Sequence, residues 1–311
     1  MTVLIASELE GLLPADPVPG HAVEWLGTDE PTPGGSYAAI LPLLSRSIGA
    51  AELDGLPDLR IVANCAVGYD NIDLEAAAER GVVVTNTPDV LTDATADLTW
   101  ALILAVARRL KEGGALLTEN RWVGWHPQQL LGLELRDSTL GVVGAGRIGQ
   151  AVARRAVGFG MRLLYADAAA RPEVEYATGA ERAKLADLLA QSDVVSVHVP
   201  SSPETRGMFG QAEFARMRRG ALFVNTARGD LVDETALLDA LDSGHLGGAG
   251  LDVFSAEPNV PERLARHPRV MALPHVGSAT THTREAMAGL AARNVQAVLG
   301  GLAPLTPVAP R

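Results

Sequence analysis

The chain has 311 residues, 47% hydrophobic and 20% charged, a length that suggests two domains and a composition typical of globular proteins. Its formal net charge of -11 at pH 7 argues against a nucleic-acid partner, because phosphate binding needs clustered Lys and Arg. Cys65 is the only cysteine, so no intrachain disulfide forms and the fold needs no oxidising compartment.

The N-terminus has no basic region and reaches an acid at Glu8, so we interpret it as a first strand and not as a signal peptide. The longest apolar run, near residues 98–107, has about ten residues and is too short to cross a bilayer. These features predict a cytoplasmic protein that has no membrane partner.

The first ninety residues are predicted to form a small α/β unit. We expect short strands at residues 3–6, 61–63 and 82–84 and a short helix at residues 74–80. A long apolar helix is predicted at residues 92–110, with Thr92 as its N-cap and Asp93 in its first turn. This helix is expected to cross between domains or to lie at an interface.

From residue 139 onward, predicted strands and helices alternate, which indicates a parallel, doubly wound sheet. The strands are expected at residues 139–143, 162–166, 194–199, 221–225, 249–253 and 270–273, and the helices at residues 148–159, 185–190 and 281–299. The last helix is predicted to return to the first domain. The domains would then comprise residues 1–92 with 280–311, for substrate binding, and residues 93–279, for dinucleotide binding.

A glycine pattern, G-x-G-x-x-G, lies between a predicted strand and a predicted helix, at Gly144, Gly146 and Gly149. The pattern alone also serves simple turn packing, but this context is that of a dinucleotide-binding loop. The first glycine allows a tight turn, the second lets a pyrophosphate approach the backbone, and the third lets the helix pack on the strand. The N–H groups at the start of the helix then face the anion.

Asp167 ends the next predicted strand, near the spacing expected for the acid that binds the adenosine ribose. A carboxylate there accepts a hydrogen bond from the 2′-OH and repels a 2′-phosphate, so the sequence favours NAD over NADP. The alternative is that Asp167 only ends a strand. Arg171 nearby could accommodate a phosphate, which leaves NADP open.

Polar residues follow several predicted strands of the second domain. These residues include His198, Arg228, Asp252 and His275. In open parallel sheets, ligands bind outside the carboxyl ends of the strands. Turn formation alone does not require an Arg, an Asp and a His in such positions, so these residues predict a functional site.

Several segments, spread over nearly the whole chain, resemble the D-isomer-specific 2-hydroxyacid dehydrogenases. They are residues 67–73, the glycine loop, and residues 198–200, 225–233, 250–254, 257–258 and 274–280. Residues 69–73, 85–88, 91–98 and 122–125 are similar to the glyoxylate/hydroxypyruvate reductase branch, although Asp167 departs from its NADP-preferring members. The resemblance implies a Rossmann-type doubly wound domain inserted in a smaller flavodoxin-like α/β substrate domain.

The resemblance implies three catalytic residues. Arg228 is expected to hold the substrate carboxylate and polarise the carbonyl, since its planar fork matches a carboxylate. His275 is expected to be the general acid in reduction, and Glu257 is expected to orient its ring and stabilise the imidazolium. The alternatives are a structural arginine, a satisfied core histidine and a solvated glutamate.

The resemblance also implies roles for residues outside the catalytic set. The backbone N–H groups of Val67, Gly68 and Tyr69 are expected to bind the substrate carboxylate, with an ordinary turn as the alternative. Ser278 is expected to reach the substrate. Trp125 is expected either to close the pocket from a partner subunit or to be a simple core or interface residue.

Cofactor-contacting positions of the family are matched, beyond the loop glycines and Asp167, by Thr95, Arg147, Ile148, His198, Pro200, Thr205, Thr226, Ala227, Arg228, Asp252, His275 and Gly277. Arg147 is expected to pair with the pyrophosphate, or to be a surface residue, and Asp252 to reach the nicotinamide amide. No His, Cys and carboxylate cluster has ligand spacing, so no metal is expected.

The function implied is reduction of glyoxylate or hydroxypyruvate to the D-2-hydroxy acid with NADH or NADPH, by a homodimer. Within the same class, the alternatives are D-lactate, D-3-phosphoglycerate and phosphite dehydrogenases. A different class also remains open, an NAD-sensing binding protein similar to the corepressors built on this scaffold.

Overall fold

The computed structural model describes residues 1–310. Its first 91 residues contain β1 (Thr2–Ala6), β2 (Ala22–Leu26), β3 (Tyr37–Leu41), α1 (Ala50–Asp54), β4 (Ile61–Ala63), α2 (Leu74–Glu79) and β5 (Val83–Thr85). Asp73 ends the preceding loop and caps α2, because its carboxylate accepts a hydrogen bond from the Ala76 N–H at 2.9 Å.

The next segment carries the larger sheet. Its elements are α3 (Thr92–Ala107), α4 (Leu110–Thr118), β6 (Thr139–Val143), α5 (Arg147–Gly158), β7 (Arg162–Ala166), α6 (Pro172–Thr178), β8 (Glu181–Arg182), α7 (Leu185–Gln191), β9 (Val194–Val197), α8 (Gln211–Arg216), β10 (Leu222–Asn225), α9 (Glu234–Asp242), β11 (Gly248–Leu251), α10 (Glu262–Arg266) and β12 (Val270–Ala272). The chain ends with α11 (Thr281–Leu299) and β13 (Pro307–Val308).

The described chain forms two compact units, one of residues 1–91 with residues from 278 onward and one of residues 92–277. The first unit holds a sheet in the order β2-β1-β3-β4-β5-β13, parallel except for the antiparallel β13. Its first five strands have the flavodoxin-like order. The core includes Leu4, Ile40, Val62 and Val84, and α11 packs on β3 and β4.

The second unit holds a parallel sheet in the order β8-β7-β6-β9-β10-β11-β12. This is the doubly wound order of dinucleotide-binding folds, with one strand added at the end. One buried cluster combines α3 and α5 with the sheet, and the other combines α7, α8 and α9 with it. The predicted fold class is confirmed.

The long helix predicted over residues 92–110 is wrong in its extent. The helix α3 begins at Thr92, which is therefore not its N-cap, and it ends at Ala107. The Ala107 carbonyl accepts a hydrogen bond from the Leu133 N–H at 2.9 Å. Arg109 has a φ of 52°, a left-handed conformation that interrupts a right-handed helix.

The predicted strands at residues 194–199 and 249–253 are too long, because β9 ends at Val197 and β11 at Leu251. The residues beyond these ends leave the ladder and contribute to the site described below. Sequence analysis also missed β2 and β3, which lie beside β1. Within residues 1–310, no helix has both the length and the apolar character needed to cross a membrane.

Candidate active site

The carboxyl ends of six neighbouring strands form one row across the sheet of the second unit. The paired residues, from β7 to β12, are Ala166, Val143, Val197, Asn225, Leu251 and Ala272. Residues predicted to be functional follow directly or within three positions: Asp167, Gly144, His198, Thr226, Arg228, Asp252 and His275. The parallel sheet therefore brings these separate segments to one edge.

The glycine loop follows β6 and has the geometry of an anion cradle. Gly144 has a φ of 89°, which favours glycine, and a Cβ on Gly149 would lie 2.0 Å from the Gly144 oxygen. A Cβ on Gly146, by contrast, would meet no heavy atom within 4 Å. The first-turn N–H groups of α5 have no intrahelical partner, so the loop fits a pyrophosphate. Arg147 is exposed at the start of that helix, and Ile148 packs on the core beneath it.

Asp167 lies beside the glycine loop. Its Oδ2 accepts a hydrogen bond from the Ala145 N–H at 2.9 Å, and its Oδ1 from the Ala169 N–H at 3.0 Å and from Arg171 at 3.3 Å. Burial alone raises the pKa of Asp167, but these hydrogen bonds and the Arg171 cation outweigh burial and lower it. Asp167 is therefore an ionised acceptor at the position expected for ribose binding.

The loop after β9 is held by its own side chains. His198 Nε2 and Ser196 Oγ are 2.8 Å apart, and burial lowers the pKa of His198 to about 3, so the imidazole is neutral at physiological pH. The Thr205 hydroxyl donates to the Pro200 carbonyl at 2.7 Å and accepts from the Ser202 N–H at 2.9 Å. Thr205 therefore stabilises this loop from inside.

Two buried threonines connect the end of β10 with the middle of α3. Thr226 Oγ1 lies 2.9 Å from Thr99 Oγ1, and Thr99 donates to the Thr95 carbonyl at 2.8 Å. A Cβ on Gly277 would lie 3.1 Å from Asp252 Oδ2 and 3.5 Å from Thr95 Cγ2. The backbone at Gly277 therefore approaches this buried polar cluster closely.

Arg228 lies on a loop that Asn225 organises. The Asn225 amide donates to the Arg228 carbonyl at 2.7 Å and accepts from the Ala227 N–H at 2.9 Å. Arg228 Nη1 donates to the Ala227 carbonyl at 2.7 Å. Sequence reasoning assigned no role to Asn225, although an Asn at a strand end, two residues before a loop N–H, is a known turn-forming signal.

His275 and Glu257 form the central pair. His275 Nδ1 lies 2.8 Å from Glu257 Oε2, and both side chains are 35% exposed. Glu257 Oε1 also accepts from the Phe254 N–H at 2.9 Å. Burial raises the pKa of Glu257, but the hydrogen bonds from His275 and Phe254 and the charges of His275 and Arg228 lower it overall. The structure therefore brings the three predicted catalytic residues into one electrostatic cluster.

Asp252 holds the His275 loop from below. It is 1% exposed, and its two oxygens accept from the Val276 N–H at 2.8 Å and the Gly277 N–H at 2.7 Å. Its carbonyl accepts from the His275 N–H at 2.9 Å. Burial raises the pKa of Asp252 despite these hydrogen bonds. The structure thus shows Asp252 engaged with backbone, and its expected contact with the nicotinamide amide stays a prediction.

The loop of Val67, Gly68 and Tyr69 belongs to the first unit. The Val67 and Gly68 carbonyls accept from Asn86 and Asn64, each at 2.8 Å, and the Tyr69 carbonyl accepts from the Ile72 N–H at 3.0 Å. No hydrogen bond joins the three N–H groups to any acceptor among residues 1–310. The carbonyls are thus fixed and the donors are available.

Two further predicted residues differ in their exposure. Ser278 is partly buried, and its carbonyl accepts from the Thr280 N–H at 2.8 Å. Trp125 is 83% exposed, so it is not a core residue of this chain. Among residues 1–310, no group of three or more His, Cys, Asp or Glu side chains could hold a metal ion.

Comparison with known proteins identifies the family. Residues 100–277 match the family model described as D-isomer specific 2-hydroxyacid dehydrogenase, NAD binding domain. The chain belongs to the D-isomer-specific 2-hydroxyacid dehydrogenases. The predicted family is therefore confirmed, and the chain is an NAD(P)-dependent dehydrogenase with a Rossmann-type domain.

Relatives within this dehydrogenase family are close. A protein named glyoxylate reductase from Thermococcus litoralis is 48% identical over 86% of this chain and 82% of its own length. A solved structure from Thermus thermophilus has a TM-score of 0.90 at 43% identity and covers 99% of this chain and 100% of that one. An NADPH-dependent glyoxylate/hydroxypyruvate reductase from Sinorhizobium meliloti has a TM-score of 0.88 at 36% identity, covering 99% and 97%.

Proposed function

We propose that this dehydrogenase reduces glyoxylate or hydroxypyruvate to the D-2-hydroxy acid. The observation that carries the proposal is the 2.8 Å contact between His275 and Glu257, with the Arg228 cation acting on the same carboxylate. This group follows the strands of the unit that carries the glycine loop. The proposal is supported by relatives named glyoxylate reductase.

The bound cofactor, NADH or NADPH, supplies the hydride. Arg228 binds the substrate and polarises its carbonyl, because a guanidinium stabilises the negative charge that develops on the oxygen. Glu257 occupies His275 Nδ1, which leaves Nε2 to donate a proton to that oxygen. Glu257 holds the ring in this orientation and stabilises its charged form. Asp252 fixes the backbone from which the ring projects.

The substrate carboxylate is assigned to the loop of Val67, Gly68 and Tyr69. Three neighbouring N–H groups with fixed carbonyls and no partner among residues 1–310 are suited to bind an anion. Gly68 lets the anion approach, since it has no side chain. The Ser278 hydroxyl is proposed to contact the same substrate.

We assign NAD as the preferred cofactor because of Asp167. Its ionised carboxylate accepts hydrogen bonds from a ribose 2′-OH and repels a 2′-phosphate. The ion pair with Arg171, 3.3 Å away, neutralises part of that repulsion. We therefore expect NADPH to be used, but more weakly than NADH. The other residues of the cofactor-binding set predicted from the sequence support a dinucleotide and do not distinguish NAD from NADP.

We also propose a homodimer formed through residues 110–131. Large apolar side chains in this segment are exposed, namely Leu110 at 56%, Leu117 at 65%, Trp122 at 55%, Val123 at 101%, Trp125 at 83% and Leu131 at 66%. Exposed large apolar side chains concentrated in one segment are typical of association sites. Sedimentation velocity should show a dimer that Trp122→Ser weakens, whereas Trp25→Ser should not weaken it. The cytoplasmic location stays a prediction.

The enzyme proposal is tested by cofactor consumption. The purified protein is assayed with glyoxylate, hydroxypyruvate and pyruvate, each with NADH and NADPH, beside the variants His275→Ala and His245→Ala. Glyoxylate or hydroxypyruvate should give the highest kcat/KM, and only His275→Ala should abolish turnover. Failure to oxidise either cofactor with any small 2-oxo acid rejects the proposal.

A further inference from the structure

We propose that Arg284 is a second substrate-binding cation, which pairs with the carboxylate held by the loop of Val67, Gly68 and Tyr69. This inference rests on the proposed function, because it extends the carboxylate site of the same reaction. All of these residues belong to the first unit. No role for Arg284 was predicted from the sequence.

The direction of α11 places Arg284 near this loop. The C-terminal end of α11 lies at the start of β4, since Arg60 donates to the Val298 carbonyl at 2.8 Å. The helix α11 packs on β4, and its end lies at the start of the strand, so the helix runs antiparallel to the strand. From Val298 back to Arg284 the helix rises roughly 21 Å, and from Arg60 to Cys65 the extended chain spans at most roughly 17 Å. Arg284 therefore lies beyond the carboxyl end of β4.

The helix face also orients Arg284 toward the sheet. Ala288, Ala291 and Val295 are each at most 1% exposed, and they lie on the same helical face as Arg284 because residues three and four apart are neighbours. Side chains on a helix point toward its N-terminus. The Arg284 side chain is thus directed from the buried face toward the loop that follows β4.

The Arg284 guanidinium is available to bind an anion. Its side chain is partly buried, yet no carboxylate or carbonyl among residues 1–310 forms a hydrogen bond or an ion pair with it. Burial raises the pKa of the Cys65 thiol to about 12, and the Arg284 charge acts in the opposite direction, which places the cation within electrostatic range of Cys65. Cys65 lies just before the available N–H groups at 67–69.

A guanidinium beside three N–H donors suits a carboxylate better than either group alone, because it adds charge and two parallel hydrogen bonds. This contact is made to a group that does not react, so it stabilises the bound substrate and the transition state alike. Losing it should raise KM and leave kcat nearly unchanged. A charged hydrogen bond of this kind corresponds to about a tenfold to a hundredfold change in affinity.

The test compares Arg284→Gln and Arg284→Lys with Arg293→Gln. Arg293 is an exposed residue of the same helix, roughly 13 Å further along it, and its variant removes the same charge. We measure KM and kcat for glyoxylate and hydroxypyruvate. Calorimetric Kd values for oxamate, an unreactive analogue of a 2-oxo acid, are measured with NADH-saturated protein. Thermal unfolding shows whether each variant is folded.

Arg284→Gln should raise the oxamate Kd and both KM values by about tenfold to a hundredfold, Arg284→Lys should lie between, and Arg293→Gln should match the wild type. An unchanged oxamate Kd in both Arg284 variants overturns the inference, as does an effect confined to hydroxypyruvate, which would place Arg284 at the C3 substituent. If the wild type binds oxamate but reduces no 2-oxo acid, the proposed function fails instead.

Discussion

Replacing Glu257 with Gln should lower kcat/KM in both directions of the reaction by about tenfold. The carboxylate accepts from His275 at 2.8 Å, a charge-assisted hydrogen bond of about 1.5 to 3 kcal/mol. Both side chains are 35% exposed, so solvent screening reduces this to roughly 1.4 kcal/mol, which corresponds to about a tenfold change in rate. Gln preserves the side-chain shape and can still accept from the Phe254 N–H.

The direction follows from the charge that Gln lacks. Burial raises the pKa of Glu257, but the hydrogen bond and charge of His275 contribute to lowering it overall, so the ionised carboxylate is the form that pairs with the ring. Gln carries no charge, so it holds the ring less firmly with Nε2 toward the substrate oxygen. Reduction and oxidation should both slow, because both use the same ring nitrogen.

Measurements of kcat/KM in both directions check this result. Glu234→Gln is the matched control, since Glu234 accepts from the Ser255 N–H at 2.8 Å and is not the partner of His275. A kcat/KM of Glu257→Gln equal to that of the wild type would refute the pairing. An equal loss in Glu234→Gln would show that the effect is not specific to the pair.

Three further changes test the supporting structure. Gly149→Ala places a Cβ 2.0 Å from the Gly144 oxygen and should cost about 1 to 3 kcal/mol or more of unfolding free energy. Gly146→Ala, whose Cβ meets no atom within 4 Å, should keep its Tm and bind NADH more weakly in fluorescence titrations. Equal Tm losses in the two variants would contradict this. Asp167→Ser should raise the ratio of kcat/KM with NADPH to that with NADH by about tenfold or more, and an unchanged ratio would remove Asp167 from cofactor selection. Asn225→Ala leaves the Arg228 carbonyl and the Ala227 N–H without their partners and should cost about 1 to 3 kcal/mol in denaturant unfolding and lower kcat; an unaltered kcat would show that Asn225 does not position Arg228.

The sequence predicted elements best where local chemistry marks both ends. The last helix has the predicted bounds, Thr281–Leu299, because Thr280 caps its start, accepting from the Thr283 N–H at 3.2 Å, and Gly300 follows its end. The helix α3 lacks such a stop signal, and only tertiary contacts show that it ends at Ala107. The edge strand β2 was missed because it is largely exposed and has no apolar run.

Several of the predicted site residues follow strands, so the sequence alone could select them, because parallel strands bring their carboxyl ends to one edge. Glu257 was expected only from the family resemblance. The contacts that hold these residues were not predictable from strand ends alone. Asn225 and Asp252 act through hydrogen bonds to loop backbone, and the conformation of a loop does not follow from periodicity. Arg284 was missed for a related reason, since its position depends on how α11 packs on β4.

The configuration of the product tests the central claim most directly. Hydroxypyruvate is reduced by the purified protein with NADH, and the glycerate formed is resolved by chiral chromatography. Arg228, Glu257 and His275 acting as proposed should yield D-glycerate, with His275→Ala yielding none. Formation of L-glycerate, or equal turnover by His275→Ala, would contradict the account.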